Sequence, residues 1–519
     1  MEIKVRNAII SVSDKTGLTE LGKGLQGLGV RIYSTGGTAK SLEESGIPVI
    51  KISDYTGFPE ILDGRVKSLH PKIHGGILAV RDNEKHLAQL KEGGIIQFDL
   101  VAINLYPFEK VIKKRGVSVE EAVENIDIGG PSMLRSAAKN YRFVCVLSDH
   151  VDYQGVLEEL GTKGGVSFAT RKRLAMKVFE QTSYYDALIA SYFHAAVAEN
   201  QPKYPETISM YFRKKQDLRY GENPHQSGAF YTSRSIDVRG VSTAKQLHGK
   251  ELSFNNILDI ESAFEIVKEF SRPACALIKH TNPCGAAVAS TLRAAFLDAW
   301  DGDPLSAFGG IIGFNEVVDP GTAEEIVKAG FVECVVAPGY DDKALAILTE
   351  KKNVRILETG RIRKDEAHDY DMKRVIGGLI LQERDLRDFT GEDLKAVTER
   401  NASEEELESL LFAWKIAKHV KSNAIVIAKG TKTVGIGAGQ MSRVDATFVA
   451  VTKSKGRAKG AVLASDAFFP KADAVELAAS AGITAIIQPG GSMGDEEAIK
   501  VCNKAGITML FTGYRHFRH

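Results

Sequence analysis

The sequence predicts an α/β protein of at least two domains, with a parallel sheet at its N-terminal end. The chain has 519 residues, which is more than one hydrophobic core usually holds, so two or more domains are expected. Short apolar runs alternate with segments of helical periodicity, and polar loops follow the early runs. This alternation favours a parallel sheet with helices on both of its faces.

Strands and helices alternate most clearly in the first 200 residues. Early strands are expected at 8–12, 31–34, 48–52 and 100–104. The helix after the first strand is expected to bury leucines at three- and four-residue spacing, namely Leu18, Leu21, Leu25 and Leu28. A polar loop at 35–38 leads into a second helix, which is expected to begin at Ala39. Ligands of such sheets bind at loops beyond the carboxyl ends of the strands, which is where this loop lies.

The second half is also mixed α/β, and two polar segments suggest where the chain divides. Its strands are expected at 274–278, 424–428, 461–464, 484–487 and 508–511. The segment 200–205 carries two prolines and is the best candidate linker. The polar stretch 361–371 is a candidate boundary between two lobes. The pattern shows no internal sequence repeat.

Composition and charge exclude several classes of protein. Hydrophobic residues make up 44% and charged residues 26% of the chain, as in ordinary globular proteins. The net charge of +1 provides no overall field that would attract nucleic acid or a membrane surface. The apolar runs are too short to span a bilayer, and the N-terminus has no signal-peptide pattern. The five cysteines are scattered without metal-ligand spacing, so we expect a cytoplasmic protein with no disulfide and no zinc.

The loop Thr35-Gly36-Gly37-Thr38 is a candidate phosphate site. Glycines let the backbone approach an anion, and the N-terminus of the following helix offers unpaired N–H groups. A plain strand-to-helix turn capped by Thr38 is equally consistent with the loop alone. Cations in the same region favour the phosphate site, although a solvated surface accounts for each of them singly: Lys15, Arg65 and Lys67.

A second group in this region is suited to move protons beside a phosphate. Taken singly, Asp127 before a Gly-Gly pair is best explained as a helix cap. Lys139 at the end of that helix is explained by its dipole, and Tyr106 by the core. Together with Lys67, however, these side chains supply proton donors and acceptors.

The adjacent pair Lys279 and His280 follows the apolar strand 274–278. The ammonium disfavours protonation of the neighbouring imidazole, so His280 is suited to act as a general base. The same ammonium can stabilise an oxyanion on a carbonyl. The structural alternative is a hydrogen-bonded histidine in the core. Cys284 is a less favoured nucleophile, since cysteine is often a small buried hydrophobe.

Three further segments have both structural and functional explanations. The polar segment 218–226 is either a surface loop or part of a site. The glycine-rich run 435–439 resembles a dinucleotide loop only loosely, and we favour a tight loop that presents Ser442 and Arg443. The tail 515–519 is either a frayed end or an ordered segment whose aromatic ring lines a site.

Six motifs occur in order along the chain, and together they resemble one family. They are SVSDKTG at 11–17, GRVKSLHP at 64–71, DIGG at 127–130, KHTNPCG at 279–285, SDAFFP at 465–470 and RHFRH at 515–519. The set is similar to that of the bifunctional AICAR transformylase / IMP cyclohydrolase family over essentially the whole chain. The resemblance implies a methylglyoxal-synthase-like cyclohydrolase domain at 1–199 and a transformylase region at 200–519. That region would consist of two cytidine-deaminase-like lobes, at about 200–370 and 371–519.

The resemblance also implies the reactions and the partners. The enzyme would transfer a formyl group from 10-formyltetrahydrofolate to AICAR, giving FAICAR, and then cyclise FAICAR to IMP with loss of water. It would be a homodimer whose transformylase sites use residues of both subunits. Its partners would be these small molecules rather than nucleic acid or a membrane, and it would need no catalytic metal.

In the transformylase region, the resemblance gives each of three residues a catalytic role. His280 would deprotonate the amine of AICAR, Lys279 would assist the formyl carbonyl, and Asn423 would lie near the formyl group. The implied substrate-binding positions are Arg219, Tyr220, Asn256, Gly309, Glu333, Ser442, Arg443, Phe468, Phe469, Pro470, Arg515 and Phe517. Glu333 stands where vertebrate members have aspartate, which weakens its assignment.

In the first domain, the resemblance implies a ring-closing set and a nucleotide-binding set. The ring-closing residues are Lys67, Tyr106, Asp127 and Lys139. The nucleotide phosphate and ribose would be bound by Ser13, Lys15, Thr35, Gly37, Thr38 and Arg65, with Asn104 and Gly129 as further substrate-binding positions. Ser68 replaces the threonine of vertebrate members and keeps the hydroxyl.

Three other functions are alternatives to this one. They are a protein with one surviving activity, a nucleotide sensor with neither activity, and a nucleotide-dependent oxidoreductase suggested by the run 435–439. The first would require a changed residue in the catalytic set, and none is seen at Lys67, Asp127, Lys279 or His280. Separate measurement of the two reactions distinguishes among them.

Overall fold

The computed structural model of the chain describes residues 2–197, 202–233, 239–361, 370–387 and 394–519. These residues belong to two compact units, Met1–Tyr211 and Phe212–His519. The expected domain boundary at 199/200 and the first two residues of the expected linker lie outside the described residues. So does most of the polar stretch 361–371 that was expected to separate two lobes.

The first unit is built on a five-stranded parallel sheet in the order β3-β2-β1-β4-β5. Its strands are β1 (Asn7–Val12), β2 (Arg31–Ser34), β3 (Ile50–Lys51), β4 (Leu100–Asn104) and β5 (Cys145–Leu147). Ile9 and Ile10 point to opposite faces of this sheet and are both fully buried. Both faces are therefore covered, as expected of a parallel sheet.

Among the described residues of the first unit, ten α-helices accompany this sheet. They are α1 (Leu18–Gly27), α2 (Gly36–Glu44), α3 (Ile52–Thr56), α4 (Pro71–Leu78), α5 (Glu84–Glu92), α6 (Phe108–Ile112), α7 (Val119–Glu124), α8 (Gly129–Lys139), α9 (Tyr153–Lys163) and α10 (Phe168–Tyr192). The predicted strands at 31–34 and 100–104 have the predicted bounds.

Three local predictions for this unit are wrong. Leu28 is 44% exposed, because α1 ends at Gly27 before reaching it. The strand expected at 48–52 is reduced to β3, since Ile52 already begins α3. Helix α2 begins at Gly36 rather than at Ala39. The sequence does not reveal this start, because the glycines and Thr38 of the first turn carry no apolar periodicity. The candidate phosphate loop is thus itself the N-terminus of a helix.

The second unit holds a twelve-stranded sheet in the order β16-β21-β20-β19-β17-β18-β10-β9-β11-β12-β13-β8, together with the hairpins β6-β7 and β14-β15. Its strands are β6 (Arg213–Leu218), β7 (Gly228–Thr232), β8 (Lys245–His248), β9 (Ala274–Lys279), β10 (Asn282–Val288), β11 (Ile311–Phe314), β12 (Cys334–Ala337), β13 (Arg355–Glu358), β14 (Tyr370–Val375), β15 (Gly378–Glu383), β16 (Lys395–Ala396), β17 (Ile425–Lys429), β18 (Lys432–Gly437), β19 (Val462–Ser465), β20 (Ala485–Gln488) and β21 (Thr508–Phe511). Its helices are α11 (Phe254–Val267), α12 (Leu292–Gly302), α13 (Pro304–Ala307), α14 (Pro320–Ala329), α15 (Asp342–Thr349), α16 (Glu404–Ala417), α17 (Arg443–Lys453), α18 (Asp473–Ser480) and α19 (Asp495–Ala505).

The twelve-stranded sheet consists of two lobes with the same topology. Each lobe has an antiparallel hairpin followed by three strands that are parallel to one another, and β10 pairs with β18 where the lobes meet. Each also packs a helix closely against a glycine of its hairpin. A Cβ on Gly285 would lie 1.9 Å from the carbonyl oxygen of Ala299, and one on Gly435 would lie 2.1 Å from that of Ala450. The fold is thus repeated although the sequence shows no repeat.

Within the described residues, no helix is both long enough and apolar enough to cross a membrane.

Candidate active sites

A cavity of about 620 Å³ opens in the first unit, beyond the carboxyl ends of β1, β2 and β4. This is the edge at which ligands of open α/β sheets bind. Most of the residues predicted for this domain line it: Ser13, Lys15, Thr35, Gly37, Thr38, Arg65, Lys67, Asn104, Tyr106, Asp127 and Gly129. The structure therefore brings together residues from five separate stretches of the chain.

One end of the cavity is suited to an anion. The first turn of α2 lines it with backbone N–H groups. The ammonium of Lys15 donates to Thr38 Oγ1 at 3.0 Å and to the carbonyl oxygen of Val12. Burial lowers the pKa of Lys15. A Cβ on Gly36 would lie 3.6 Å from Lys67 Nζ, so a second ammonium stands beside the same helix end.

Asn104 fixes the loop that follows β1. Its Oδ1 accepts hydrogen bonds from the backbone N–H groups of Ser13 at 2.5 Å and Asp14 at 3.0 Å. Its Nδ2 donates to the carbonyl oxygen of Asp14 at 2.8 Å. The amide thus holds the cavity wall, because every polar atom of its side chain bonds to the loop.

Asp127 both bonds to the first turn of α8 and lines the cavity. The backbone N–H of Gly130 donates to Asp127 Oδ1 at 2.8 Å, which ties the carboxylate to the first turn of α8. Burial raises the pKa of this carboxyl, although the N–H groups of Gly130 and Tyr106 oppose the shift. The two explanations offered by the sequence are therefore not exclusive. A carboxyl with a raised pKa is suited to proton transfer.

Arg65 has a partner that sequence reasoning missed. Its Nε donates to Glu124 Oε1 at 3.2 Å, and its Nη2 bonds to the other carboxylate oxygen. Glu124 ends α7 and lines the cavity. The two residues are 59 positions apart, and no local pattern links them. Similarly, Lys67 Nζ lies 3.7 Å from Glu60 Oε2.

Lys139 does not join the other predicted residues at the cavity. It is the last residue of α8 and is exposed. Gly129, at the first position of this eleven-residue helix, lines the cavity, and the axial distance between the two ends is about 15 Å. Its position fits the dipole explanation that the sequence offered.

The second candidate site lies at the β9–β10 hairpin. Lys279 pairs with Asn282 across the hairpin, so His280 and Thr281 form its two-residue turn. Lys279 Nζ donates to the carbonyl oxygen of Gly309 at 3.0 Å and lies 3.5 Å from that of Phe308. His280 is exposed. The alternative of a core histidine is therefore wrong, and the imidazole is accessible to a substrate.

A loop of the second lobe lies against this hairpin. The backbone N–H of Lys421 donates to Asn282 Oδ1 at 3.0 Å. Two residues later, Asn423 follows a cis peptide bond, and its Nδ2 donates to the carbonyl oxygen of Gln440 at 2.9 Å. Asn423 therefore lies two residues after Lys421, which contacts the Lys279–His280 hairpin directly.

Asp466, the second residue of the SDAFFP motif, holds the 422–424 loop in place. It is fully buried and accepts from the backbone N–H of Ala424 at 3.0 Å, from the hydroxyl of Ser422 and from Arg443 Nη1. Arg443 is itself buried. A buried pair of this kind fixes geometry, because neither charge can be left alone in the interior.

The C-terminal tail is ordered and joins the same region, so the alternative of a frayed end is wrong. The backbone N–H of Ser422 donates to the carbonyl oxygen of Arg518 at 2.9 Å, and that of His516 donates to Asp466 O at 2.9 Å. The guanidinium of Arg515 stacks 4.2 Å from the centre of the Phe517 ring. The sequence signal was the aromatic residue between cations.

The remaining predicted positions have their own local contacts. Arg219 lies 5.9 Å from the Tyr220 ring, Asn256 caps α11 with Ser253, and Glu333 pairs with the buried Arg355 at 2.7 Å. Ser442 caps α17 by accepting from the N–H of Asp445 at 3.1 Å. Phe468 and Pro470 are exposed, whereas the ring of Phe469 is fully buried in the core.

Two other candidates are explained by packing. Cys284 Sγ donates to the carbonyl oxygen of Leu277, and burial raises the pKa of this thiol to about 12. Such a thiol is a poor nucleophile. In the run 435–439, Gly435 and Gly437 belong to β18 and lie under backbone carbonyls of α17. They serve close packing rather than a dinucleotide loop.

Among the described residues, no three His, Cys, Asp or Glu side chains are grouped to hold a metal ion.

Comparison with known proteins gives consistent matches over the chain. A family model described as AICARFT/IMPCHase bienzyme matches residues 137–453, and one described as MGS-like domain matches residues 17–132. The chain is 56% identical to the bifunctional purine biosynthesis protein PurH of Acetivibrio thermocellus over 99% of this chain and all of that protein. It is 54% and 52% identical to proteins of the same name from Ruminiclostridium cellulolyticum and Bacillus mycoides, with the same coverage.

Proposed function

The chain belongs to the AICARFT/IMPCHase bienzyme family, and we propose which residues carry each of its two reactions. The protein transfers a formyl group from a folate donor to AICAR and cyclises the FAICAR product to IMP. We assign cyclisation to a domain at 1–199 and formyl transfer to the region 200–519, with 10-formyltetrahydrofolate as the donor.

The cavity of the first unit supports the assignment of cyclisation. The first turn of α2 and the cations Lys15 and Arg65 would bind the nucleotide phosphate. Cyclisation forms a bond between the carboxamide nitrogen and the formyl carbon of FAICAR, after which water leaves. Asp127 accepts the proton of the attacking nitrogen, because its raised pKa suits that transfer.

Two cavity residues then serve the departing oxygen. Lys67 stabilises the negative charge that develops on the formyl oxygen, and the Tyr106 hydroxyl protonates that oxygen. The oxygen then leaves as water with the proton that Asp127 took up, while the former formamide nitrogen gives its proton to the Tyr106 phenolate as the C=N bond forms. Lys139 is left out of this set, because it lies at the far end of α8. Contacts to the nucleotide are assigned to Ser13, Thr35, Gly37, Thr38, Asn104 and Gly129.

The exposed hairpin turn supports the assignment of formyl transfer. His280 takes a proton from the amine of AICAR as its nitrogen attacks the formyl carbon, and the imidazolium returns that proton to N10 of the folate as the bond from the formyl carbon to N10 breaks. Lys279 stabilises the oxyanion of the tetrahedral intermediate, since two carbonyls hold its ammonium beside the turn. The contact of the Asn423 loop with the hairpin supports a position for this residue near the formyl group.

The other predicted positions of this region are assigned to substrate contact or to support of the site. Exposed or half-buried side chains suited to contact are Arg219, Tyr220, Glu333, Ser442, Phe468, Pro470, Arg515 and Phe517. Gly309 holds Lys279, whereas the buried Asn256, Arg443 and Phe469 support the site from beneath.

We also propose that the protein is a homodimer that works in the cytoplasm. The β14–β15 hairpin presents large exposed apolar side chains to solvent: Met372, Val375, Ile376, Leu379 and Ile380. Such a patch marks an interaction surface, and a second copy of the chain is the occupant proposed here. Sedimentation of the protein and of Ile376→Glu tests this, with a dimer expected for the first and a weakened dimer for the second. All five cysteines are free, which fits a reducing compartment.

One assay tests the two activities independently. The purified protein is given AICAR and 10-formyltetrahydrofolate, and tetrahydrofolate and IMP are followed separately. Both products are expected. Absence of tetrahydrofolate would contradict the assignment of formyl transfer, and FAICAR that accumulates without IMP would contradict the assignment of cyclisation.

A further inference from the structure

The turn that carries His280 has an unusual backbone. His280 and Thr281 both lie in the left-handed region, with φ of 54° and 60°. Clashes with Cβ disfavour this region for residues other than glycine, and most strongly for a β-branched residue such as threonine. The equivalent turn of the second lobe, between β17 and β18, has Gly430 at φ 59° in its first position. The His280–Thr281 turn therefore needs contacts that hold it.

Asp259 of α11 supplies such a contact. The backbone N–H of Thr281 donates to Asp259 Oδ1 at 2.6 Å. Burial raises the pKa of this carboxyl, while the N–H groups of Thr281 and His280 and the charges of His280 and Lys279 oppose the shift. The carboxylate thus lies directly against the backbone of the turn.

Helix α11 gives Asp259 a fixed base. The helix begins with a reciprocal cap between Ser253 and Asn256. Its apolar face shares one core cluster with β9, where Ile260 and Ala263 join Ile278. Two further bonds, from Thr281 Oγ1 and Asn282 Nδ2 to the carbonyl oxygen of His280, are internal to the hairpin and move with it. The bond from Asp259 instead ties the turn to the helix.

We propose that Asp259 is a positioning residue for formyl transfer. By accepting the Thr281 N–H, it fixes the turn from which the His280 imidazole reaches the amine of the substrate. The inference rests on the proposed role of His280. Asp259 acts through the turn and touches no reacting atom, so its loss affects the rate of the chemical step rather than the binding of AICAR.

The test compares two substitutions with different chemistry. Asp259→Ala removes the acceptor, and we expect kcat of formyl transfer to fall about 100-fold, as when a catalytic group is displaced by about 1 Å. Because ground-state binding is untouched, KM for AICAR should change less than about threefold. Asp259→Asn keeps an acceptor oxygen in place and should retain kcat within about tenfold. Cyclisation of supplied FAICAR should be unchanged in both.

A rescue experiment separates positioning from other roles. Glycine accepts the left-handed backbone without strain, so Asp259→Ala combined with Thr281→Gly should regain about tenfold in kcat over Asp259→Ala alone. The matched control is Asp298→Asn, which removes the carboxylate that pairs with Lys432 beside the hairpin turn of the second lobe at 2.7 Å, and it should leave kcat unchanged.

Several outcomes would overturn the inference. They are an unchanged kcat in Asp259→Ala, a loss confined to KM, no rescue by Thr281→Gly, or a loss in Asp259→Asn as large as in Asp259→Ala. If Asp259→Ala does not fold, Asp259→Asn decides the matter, and a fall in its kcat well beyond about tenfold would overturn the inference. A wild-type protein without formyl transfer would instead contradict the proposed function itself.

Discussion

The ammonium of Lys279 donates to the carbonyl oxygen of Gly309 at 3.0 Å, and Gly309 presents that oxygen from a left-handed backbone with φ of 67°. A Cβ at this position would lie 3.5 Å from Lys279 Nζ and 3.3 Å from the Phe331 ring. The glycine therefore supplies the backbone conformation from which the carbonyl holds the ammonium, and a Cβ there would be close to the Phe331 ring.

Gly309→Ala should lower formyl transfer while leaving cyclisation intact. The left-handed backbone costs alanine about 1 kcal/mol or more, and relief of that strain would move the carbonyl that holds Lys279. We expect kcat of formyl transfer to fall at least about tenfold. Gly430→Ala is the matched control, since Gly430 has φ of 59° and nothing within 4 Å of its Cβ position. It should lose similar stability and keep its activity. Equal kcat in the two variants would contradict the role of the contact.

Asp127→Asn should abolish cyclisation and stabilise the fold at neutral pH. Burial raises the pKa of this carboxyl, so its neutral form contributes stability at low pH that is lost as the pH rises through the raised pKa. The amide stays neutral, and the variant should unfold at a higher temperature than the wild type at pH 7. The difference should shrink toward about pH 4, the ordinary range of a carboxyl. Cyclisation should fall about 100-fold or more. A difference in unfolding temperature that is independent of pH would count against this account.

Glu124→Gln should improve binding of FAICAR. The variant removes the carboxylate that pairs with Arg65, and the guanidinium then meets the substrate phosphate without a competing anion. The side chains are 66% and 56% exposed, so solvent screens the pair and KM should fall by no more than about fivefold. Glu120→Gln on the same helix is the control and should leave KM unchanged. A rise in KM for Glu124→Gln would show that the carboxylate helps to bind the substrate.

Cys284→Ser should retain formyl transfer near the wild-type rate. The pKa of this thiol is about 12, so almost no thiolate exists at the pH of the assay. Loss of a true nucleophile would instead lower kcat by as much as about 10⁶-fold. Steady-state kinetics of the variant distinguishes these outcomes, and treatment of the wild-type protein with iodoacetamide provides an independent check.

The sequence predicts some of the strands of each unit, among them β1, β2, β4, β9 and β17, and most of the first cavity, because apolar runs and polar loops are local signals. It does not predict the start of α2, because glycines carry no periodicity. Nor does it predict the repeated lobe topology, which depends on strand pairing rather than on side-chain identity. Ion pairs such as Arg65–Glu124 and the contact of Asp259 with the turn join distant positions. Only the fold brings these partners together. Likewise, only the fold shows that Lys139 lies at the end of α8 away from the cavity.

The measurement that tests the central assignment most directly is a comparison of both half-reactions in His280→Ala. The substitution removes an exposed side chain from the β9–β10 turn of the second unit, and the cavity assigned to cyclisation is lined by residues of the first unit alone. We predict that the variant forms no tetrahydrofolate from AICAR and 10-formyltetrahydrofolate, yet converts supplied FAICAR to IMP at the wild-type rate. Loss of both activities in a folded variant, or formyl transfer that survives, would contradict the assignment of the two reactions to two separate sites.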